Sequence, residues 1–239
     1  MSNDNDEGEP RGFSRRELLK RMGIAGVAAA VPFEIVVPRA KASEAAAAAT
    51  PTQEAFENLT SAESDILEGF VARLIPTDEN GPGATEARAA HYIDRALGGA
   101  LAGSRQAYTE GLAALDRFAV ASRGASFTKL SVKDQDSVLL DVEAGTVAPG
   151  IFAGNSTAFF SMVRGHTLQG TFGDPYYGGN ANFVGWDLIG YPGVRVVVTP
   201  DDQRLGARPK PNHKSAYDYG MFNKATARSA SRGDHVHGD

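Results

Sequence analysis

Enzymatic chemistry needs a nucleophile beside a base, a set of metal ligands, or a backbone cradle for a phosphate. This chain has few residues at such spacings. Its histidines are His91, His166, His213, His235 and His237. Met162 and His166 stand four apart, so on a helix they share a face. Either side chain has the chemistry of an axial haem ligand, but one helix cannot place both on opposite sides of one iron. The plainer reading is a core methionine beside a hydrogen-bonded or exposed histidine. His235-x-His237, with Asp234 and Asp239, has weak metal-ligating spacing in a polar tail. None of the many serines sits in a Gly-x-Ser-x-Gly elbow. Asp201-Asp202 read as turn residues, and Asp78 and Glu79 sit in an exposed loop. No Gly-x-Gly-x-x-Gly joins a strand to a helix and no Walker loop is present, so the chain lacks the fingerprints that cradle a dinucleotide or a triphosphate. As an enzyme or small-ligand module in its own right, it would rely first on His166, Asp174 and Tyr177.

One run stands out for composition rather than catalysis. Asp174-Pro175-Tyr176-Tyr177-Gly178-Gly179-Asn180 has turn chemistry with aromatics, and Gly185-Trp186 follows with the only tryptophan. Aromatic side chains bury large areas and are enriched at interface hot spots. Two readings stand together: the run caps the helices of its own domain, and part of it docks on another protein. Asp174, Pro175, Tyr176, Tyr177, Gly178, Gly179, Asn180 and Trp186 are the candidate partner interface. No catalytic, cofactor-binding or metal-ligating set is assigned to this chain.

The elements that must position this run are helices. Thr60-Ser61-Ala62-Glu63 fits a capping box, and Ile66, Leu67, Phe70, Val71, Leu74 and Ile75 follow on one broad apolar face until Pro76. Asp78 to Gly83 is a loop. Further helices are expected over about 84–97 and about 104–121. A fourth is capped by Ser131 and stopped by Gly145, and a fifth is capped by Asn155 or Ser156 and carries Phe159, Phe160, Met162, Val163 and Leu168. Val196-Val197-Val198 is β-branched and reads as one short strand, too little to build a sheet. The expected fold is all-α: a bundle of about five helices, then an ordered glycine–aromatic loop and a polar tail. The boundaries read as a leader over 1–42, an alanine-rich linker over 43–57, the helical domain over 58–205 and the tail, an extended or disordered arm, over 206–239.

The leader carries the sharpest motif. Ser14-Arg15-Arg16-Glu17-Leu18-Leu19-Lys20 precedes an apolar run from Met22 to Val37 and the small-residue exit Ala40-Lys41-Ala42. This is the pattern of a twin-arginine export signal cleaved after Ala42. The run is shorter than the roughly 20 apolar residues a span requires, and Pro32 and Glu34 interrupt it; a leader retained as an anchor is the alternative. Cleavage leaves 197 residues with 17 basic and 23 acidic side chains, a net charge of −6. That mild acidity argues against nucleic acid and anionic lipid as partners. The chain has no cysteine, which rules out disulfides, thiolate metal sites, iron–sulfur clusters and covalent c-type haem within it.

Several strings together resemble the gluconate 2-dehydrogenase subunit 3 family. They are Leu74-Ile75-Pro76-Thr77-Asp78, Gly83-Ala84-x-Glu86-Ala87, His91-Tyr92-Ile93-Asp94 and Tyr108-x-x-Gly111-Leu112-x-x-Leu115-Asp116. More specific are Phe159-Phe160, Thr167-x-x-Gly170-x-Phe172-x-Asp174-Pro175-x-Tyr177-Gly178-Gly179-Asn180 and Gly185-Trp186-x-Leu188-Ile189-Gly190-Tyr191-Pro192-Gly193. The resemblance covers roughly 60–200. It implies a small accessory subunit of membrane-associated sugar or polyol dehydrogenases. In such complexes the large subunit, of the glucose-methanol-choline type, holds FAD, and a multihaem cytochrome c subunit often passes electrons onward. The small subunit brings the export signal to the twin-arginine translocase and helps the large one mature and reach the periplasm. The family offers no catalytic motif to transfer. A folded-protein export signal on a chain without a cofactor motif fits this picture.

Overall fold

The computed structural model describes residues 55–222. Among them are six α-helices and no strand. α1 spans Ser61–Leu74, and its capping box is formed as the sequence predicts. The Thr60 hydroxyl accepts the Glu63 N–H at 3.3 Å, and the Thr60 N–H donates to the Glu63 carboxylate at 2.8 Å. α2 spans Ala89–Leu97, α3 Arg105–Arg123 and α4 Val132–Ala144. α5 covers Ser156–Phe172 and α6 Val184–Ile189. Ser131 caps α4 and Gly145 ends it in the left-handed region. Asn155, not Ser156, caps α5 by accepting the Ala158 N–H at 3.2 Å.

α2 begins five residues later than the sequence suggests. Residues 84–88 are a turn wound onto the end of α1. The Gly83 N–H is held by the Glu86 carboxylate at 2.8 Å, the Ala84 N–H donates to the Ile75 carbonyl at 2.8 Å, and Arg88 has a φ of 58°. A left-handed residue at that point breaks helical continuity whatever the local propensity.

α1 packs against α2, α3, α4 and α5. Its Leu67, Phe70 and Leu74 are fully buried, and burying each such side chain stabilises by about 1.5–3 kcal/mol. α5 crosses the bundle and brings Phe159 edge-on to Phe70, with ring centroids 6.2 Å apart at 84°. Gly111 of α3 lies directly under the Phe159 ring, where a Cβ would overlap it. The two helices meet closely because that position has no side chain.

Val196–Val198 form no strand and are exposed. No sheet edge exists among the described residues for a β-branched triplet to join. The last described stretch is an extended arm that returns to the loop: the Val194 N–H donates to the Lys214 carbonyl and the Asn212 N–H to the Pro192 carbonyl, each at 3.1 Å.

Candidate functional site: the glycine–aromatic loop

The loop starts where α5 stops. Gly173 is extended, and Asp174 caps a 3-10 turn over Pro175–Tyr177 by accepting the Tyr176 N–H at 2.9 Å. Gly178 then takes a φ of 94° against the Arg95 guanidinium. Asn180 is the pivot. It is fully buried with a φ of 44°. Its N–H donates to the Gly170 carbonyl at 2.7 Å, its amide nitrogen to the Gly173 carbonyl at 2.9 Å, and its amide oxygen accepts the Gly185 N–H at 2.8 Å. Asparagine tolerates the left-handed region and pairs with the backbone there. Gly179 and Gly185 press so closely on the Gly170 and Thr171 carbonyls that a Cβ at either would collide.

Trp186, on α6, is 5% exposed. Its Nε1–H donates to the Phe172 carbonyl at 2.9 Å, and its ring sits 4.8 Å from Tyr191 and 5.4 Å from Phe183. Asn180 and Trp186 thus fasten the loop to the bundle, while Tyr176 and Tyr177 are about half exposed, at 50% and 53%. The eight candidate interface residues therefore divide. The buried ones cap their own domain, and the two tyrosines present aromatic surface.

His166, Asp174 and Tyr177 each have a separate partner. His166 Nδ1 lies 3.0 Å from the Tyr108 hydroxyl, with the rings stacked at 5.9 Å. Burial pushes the imidazole pKa down and the Tyr108 phenol up. Roughly 9 Å of helix separates His166 from the end of α5. Asp174 holds the arm: its carboxylate accepts the Ser215 hydroxyl at 2.6 Å and the Ala216 N–H at 2.9 Å. The Tyr177 hydroxyl meets that of Tyr217 at 2.8 Å, a bond that pushes the Tyr217 phenol pKa up. Met162 is half-buried on the face of α5 that carries His166. The geometry makes structural pairs, not a nucleophile–base–orienter chain.

Among the described residues no three His, Asp or Glu side chains cluster to hold a metal, and no helix is long and apolar enough to cross a membrane. Two shallow hollows flank Phe152: one of about 400 Å3 in the α4–α5 connection, the other of about 280 Å3 between α3 and α5 beside Gly111 and Met162. Neither is lined by His166, Asp174 or Tyr177. Asp78 and Asp202 serve turns, the latter accepting the Thr199 hydroxyl at 2.7 Å. The export-signal residues Ser14, Arg15, Arg16, Leu18, Leu19 and Lys20, the exit residues Ala40 and Ala42, and His235 and His237 lie outside the described residues.

The arm is the part of the site that sequence reasoning passed over. Its signal was present: Ser215-x-x-Asp218 is a second capping box, and tyrosines at 217 and 219 stand out in a polar tail.

Comparison with known proteins adds one match. Residues 61–193 fit the family model described as gluconate 2-dehydrogenase subunit 3. No curated protein and no solved structure matches the chain. The matched stretch is more than half of the sequence and runs from the first residue of α1 to the glycine that follows α6 and Tyr191. The chain belongs to the gluconate 2-dehydrogenase subunit 3 family, whose members are small subunits of dehydrogenase complexes.

Proposed function

We propose that this protein is the non-catalytic small subunit of a periplasmic, FAD-dependent sugar or polyol dehydrogenase. Its partner is a large flavoprotein subunit of the glucose-methanol-choline type, joined in some assemblies by a multihaem cytochrome c. The small subunit supplies the twin-arginine signal for both chains and aids folding and translocation of the flavoprotein. FAD, and haem where present, belong to the partners. Membrane association comes through them.

The observation that carries this reading is a family-matched helical domain lying behind the Ser14–Lys20 string. The separate structural partners of His166, Asp174 and Tyr177 support it, since each side chain is occupied in holding two elements together. With the arm seated against them Tyr176 and Tyr177 still keep about half of their surface exposed, and that free part is where the loop meets the flavoprotein.

Changing Arg15 and Arg16 together to Lys tests the escort role. The expected result is a flavoprotein trapped in the cytoplasm although its own sequence is untouched. Full periplasmic dehydrogenase activity in that variant would rule the role out.

A further inference from the structure

The family match ends at Gly193, and among the described residues every buried hydrophobic residue of the core lies from Leu59 to Trp186. The segment His213–Tyr217 lies beyond both and is held by loop side chains. Ser215 and Ala216 donate a hydroxyl and an N–H to the one Asp174 carboxylate. The Tyr217 ring stacks on Tyr176 with centroids 3.7 Å apart. The His213 Nε2 lies 2.7 Å from the Asp187 carboxylate, and its ring lies flat on Phe183 at 4.9 Å and 11°. Phe183 and His213 also share an uncommon backbone state, with φ of 62° and 46°. Bulky residues keep such angles only where surrounding contacts over-determine them.

This is the chemistry by which a protein recognises a peptide turn. A carboxylate takes the hydroxyl and N–H that open the turn, one aromatic face takes the ring two positions later, and a second carboxylate takes the imidazole two positions earlier. We infer that Asp174, Tyr176, Tyr177, Phe183 and Asp187 form a peptide-binding site whose resident ligand is the chain's own His213-Lys214-Ser215-Ala216-Tyr217. The ligand class is a His-x-Ser-small-Tyr turn. Tethering raises the effective concentration of the arm to about the millimolar range, so the site stays filled in the intact chain even at modest intrinsic affinity. A segment of another protein with the same pattern occupies the site only by exceeding that concentration. The inference rests on the arm–loop geometry and stands apart from the export reading.

The tether is accessible for a test, since Val197 and Leu205 are exposed. A protease recognition sequence replacing Asp201–Leu205 in the full chain allows the arm to be cut and dialysed away. The probe is a fluorescent synthetic peptide of residues 209–222, read by anisotropy. The expected result is no uptake by the intact chain and saturable binding by the cut chain. Asp174→Asn in the chain, or Tyr217→Ala in the peptide, weakens that binding by about tenfold or more. Three results overturn the inference: a cut chain with intact helical circular dichroism that ignores the peptide, a cut chain that loses its helices, and an arm that never dissociates or exchanges.

Discussion

The Asp94 carboxylate of α2 accepts the backbone N–H of Leu59 at 2.8 Å. The same carboxylate takes the N–H of Asn58 at 2.9 Å and that of Glu57 at 2.7 Å, and the Asp94 carbonyl accepts the Asn58 amide at 2.8 Å. These groups precede Thr60, the cap of α1, so one buried acid fixes where the chain enters the domain. Asp94→Ala strands three N–H groups and lowers stability by about 3 kcal/mol, a fall in melting temperature of roughly 6–12 °C. Asp94→Asn, which keeps one acceptor, falls less. Calorimetry on both variants gives the comparison, and an unchanged melting temperature for the alanine variant would show that this entry clamp contributes nothing.

Gly111 allows α3 and α5 to touch through the Phe159 ring. Gly111→Ala inserts a methyl group where that ring stands, and overpacking of this kind costs about 1–3 kcal/mol. Phe159→Leu alone loses ring contacts with Phe70 and Tyr108. Together the two changes cost less than their sum, because leucine vacates part of the space the methyl needs. Urea unfolding of the two single variants and the double variant measures that coupling.

The parts of this fold that were legible from sequence are those set by local chemistry. Thr60 with Glu63, Ser131 with Asp134, and Gly145 each place a helix end within a few residues, and the structure has them there. The start of α2 was not legible because Ala84–Ala87 has helical composition, while in the structure the Ala84 N–H is tied to the Ile75 carbonyl at the end of α1 and Arg88 turns left-handed. α6 has only six residues, too few for a period to show. In the loop the sequence singled out these residues by composition but not how they divide between buried and exposed. Asn180 and Trp186 face the bundle and Tyr176 and Tyr177 face outward, a choice made by left-handed backbone at Asn180, Asn182 and Phe183. The arm was missed because its partner, Asp174, lies 41 residues before Ser215.

Trp186 joins α6, the end of α5 and Tyr191 in one contact. Trp186→Ala is expected to lose about 3–5 kcal/mol. Trp186→Phe keeps ring packing but leaves the Phe172 carbonyl without its indole donor, a loss of about 1 kcal/mol. As the only tryptophan, it also reports its own state. Emission from the folded protein is blue-shifted, and it moves red in the same transition that unfolds the helices. Red emission from the native chain would place the indole in water.

His166 lies half-buried against Tyr108, and burial pulls its pKa below 6.5. The unfolded chain then binds the proton more readily than the folded one, so stability is full above pH 6.5 and declines as pH falls toward the folded pKa. Proton NMR of the imidazole should give a midpoint below 6.5. Because burial sets the direction, Tyr108→Phe leaves the midpoint depressed. A midpoint at or above the ordinary histidine value would contradict the packing at this pair.

Glu63 gives the opposite end of the pH scale a test. Burial alone would push its carboxyl up, but the Arg105 guanidinium, the Thr60 N–H and the Thr109 and Thr60 hydroxyls together outweigh that and bring it down to about 2. The guanidinium nitrogens of Arg105 reach the two carboxylate oxygens at 3.1 and 3.0 Å, tying the N-terminus of α1 to that of α3. A carboxyl with a lowered folded pKa contributes stability that is present above its unfolded value of 4.5 and is lost as pH falls toward 2. Solvent screening of the partly exposed Arg105 keeps the contribution to about 1 kcal/mol. Glu63→Gln should therefore destabilise the protein at pH 7 and lie close to the parent at pH 2, with the two curves converging between pH 4.5 and 2. Chemical unfolding across that range reads the convergence directly. Parallel curves would mean that the carboxylate, as distinct from the side-chain shape, adds nothing to the α1–α3 junction.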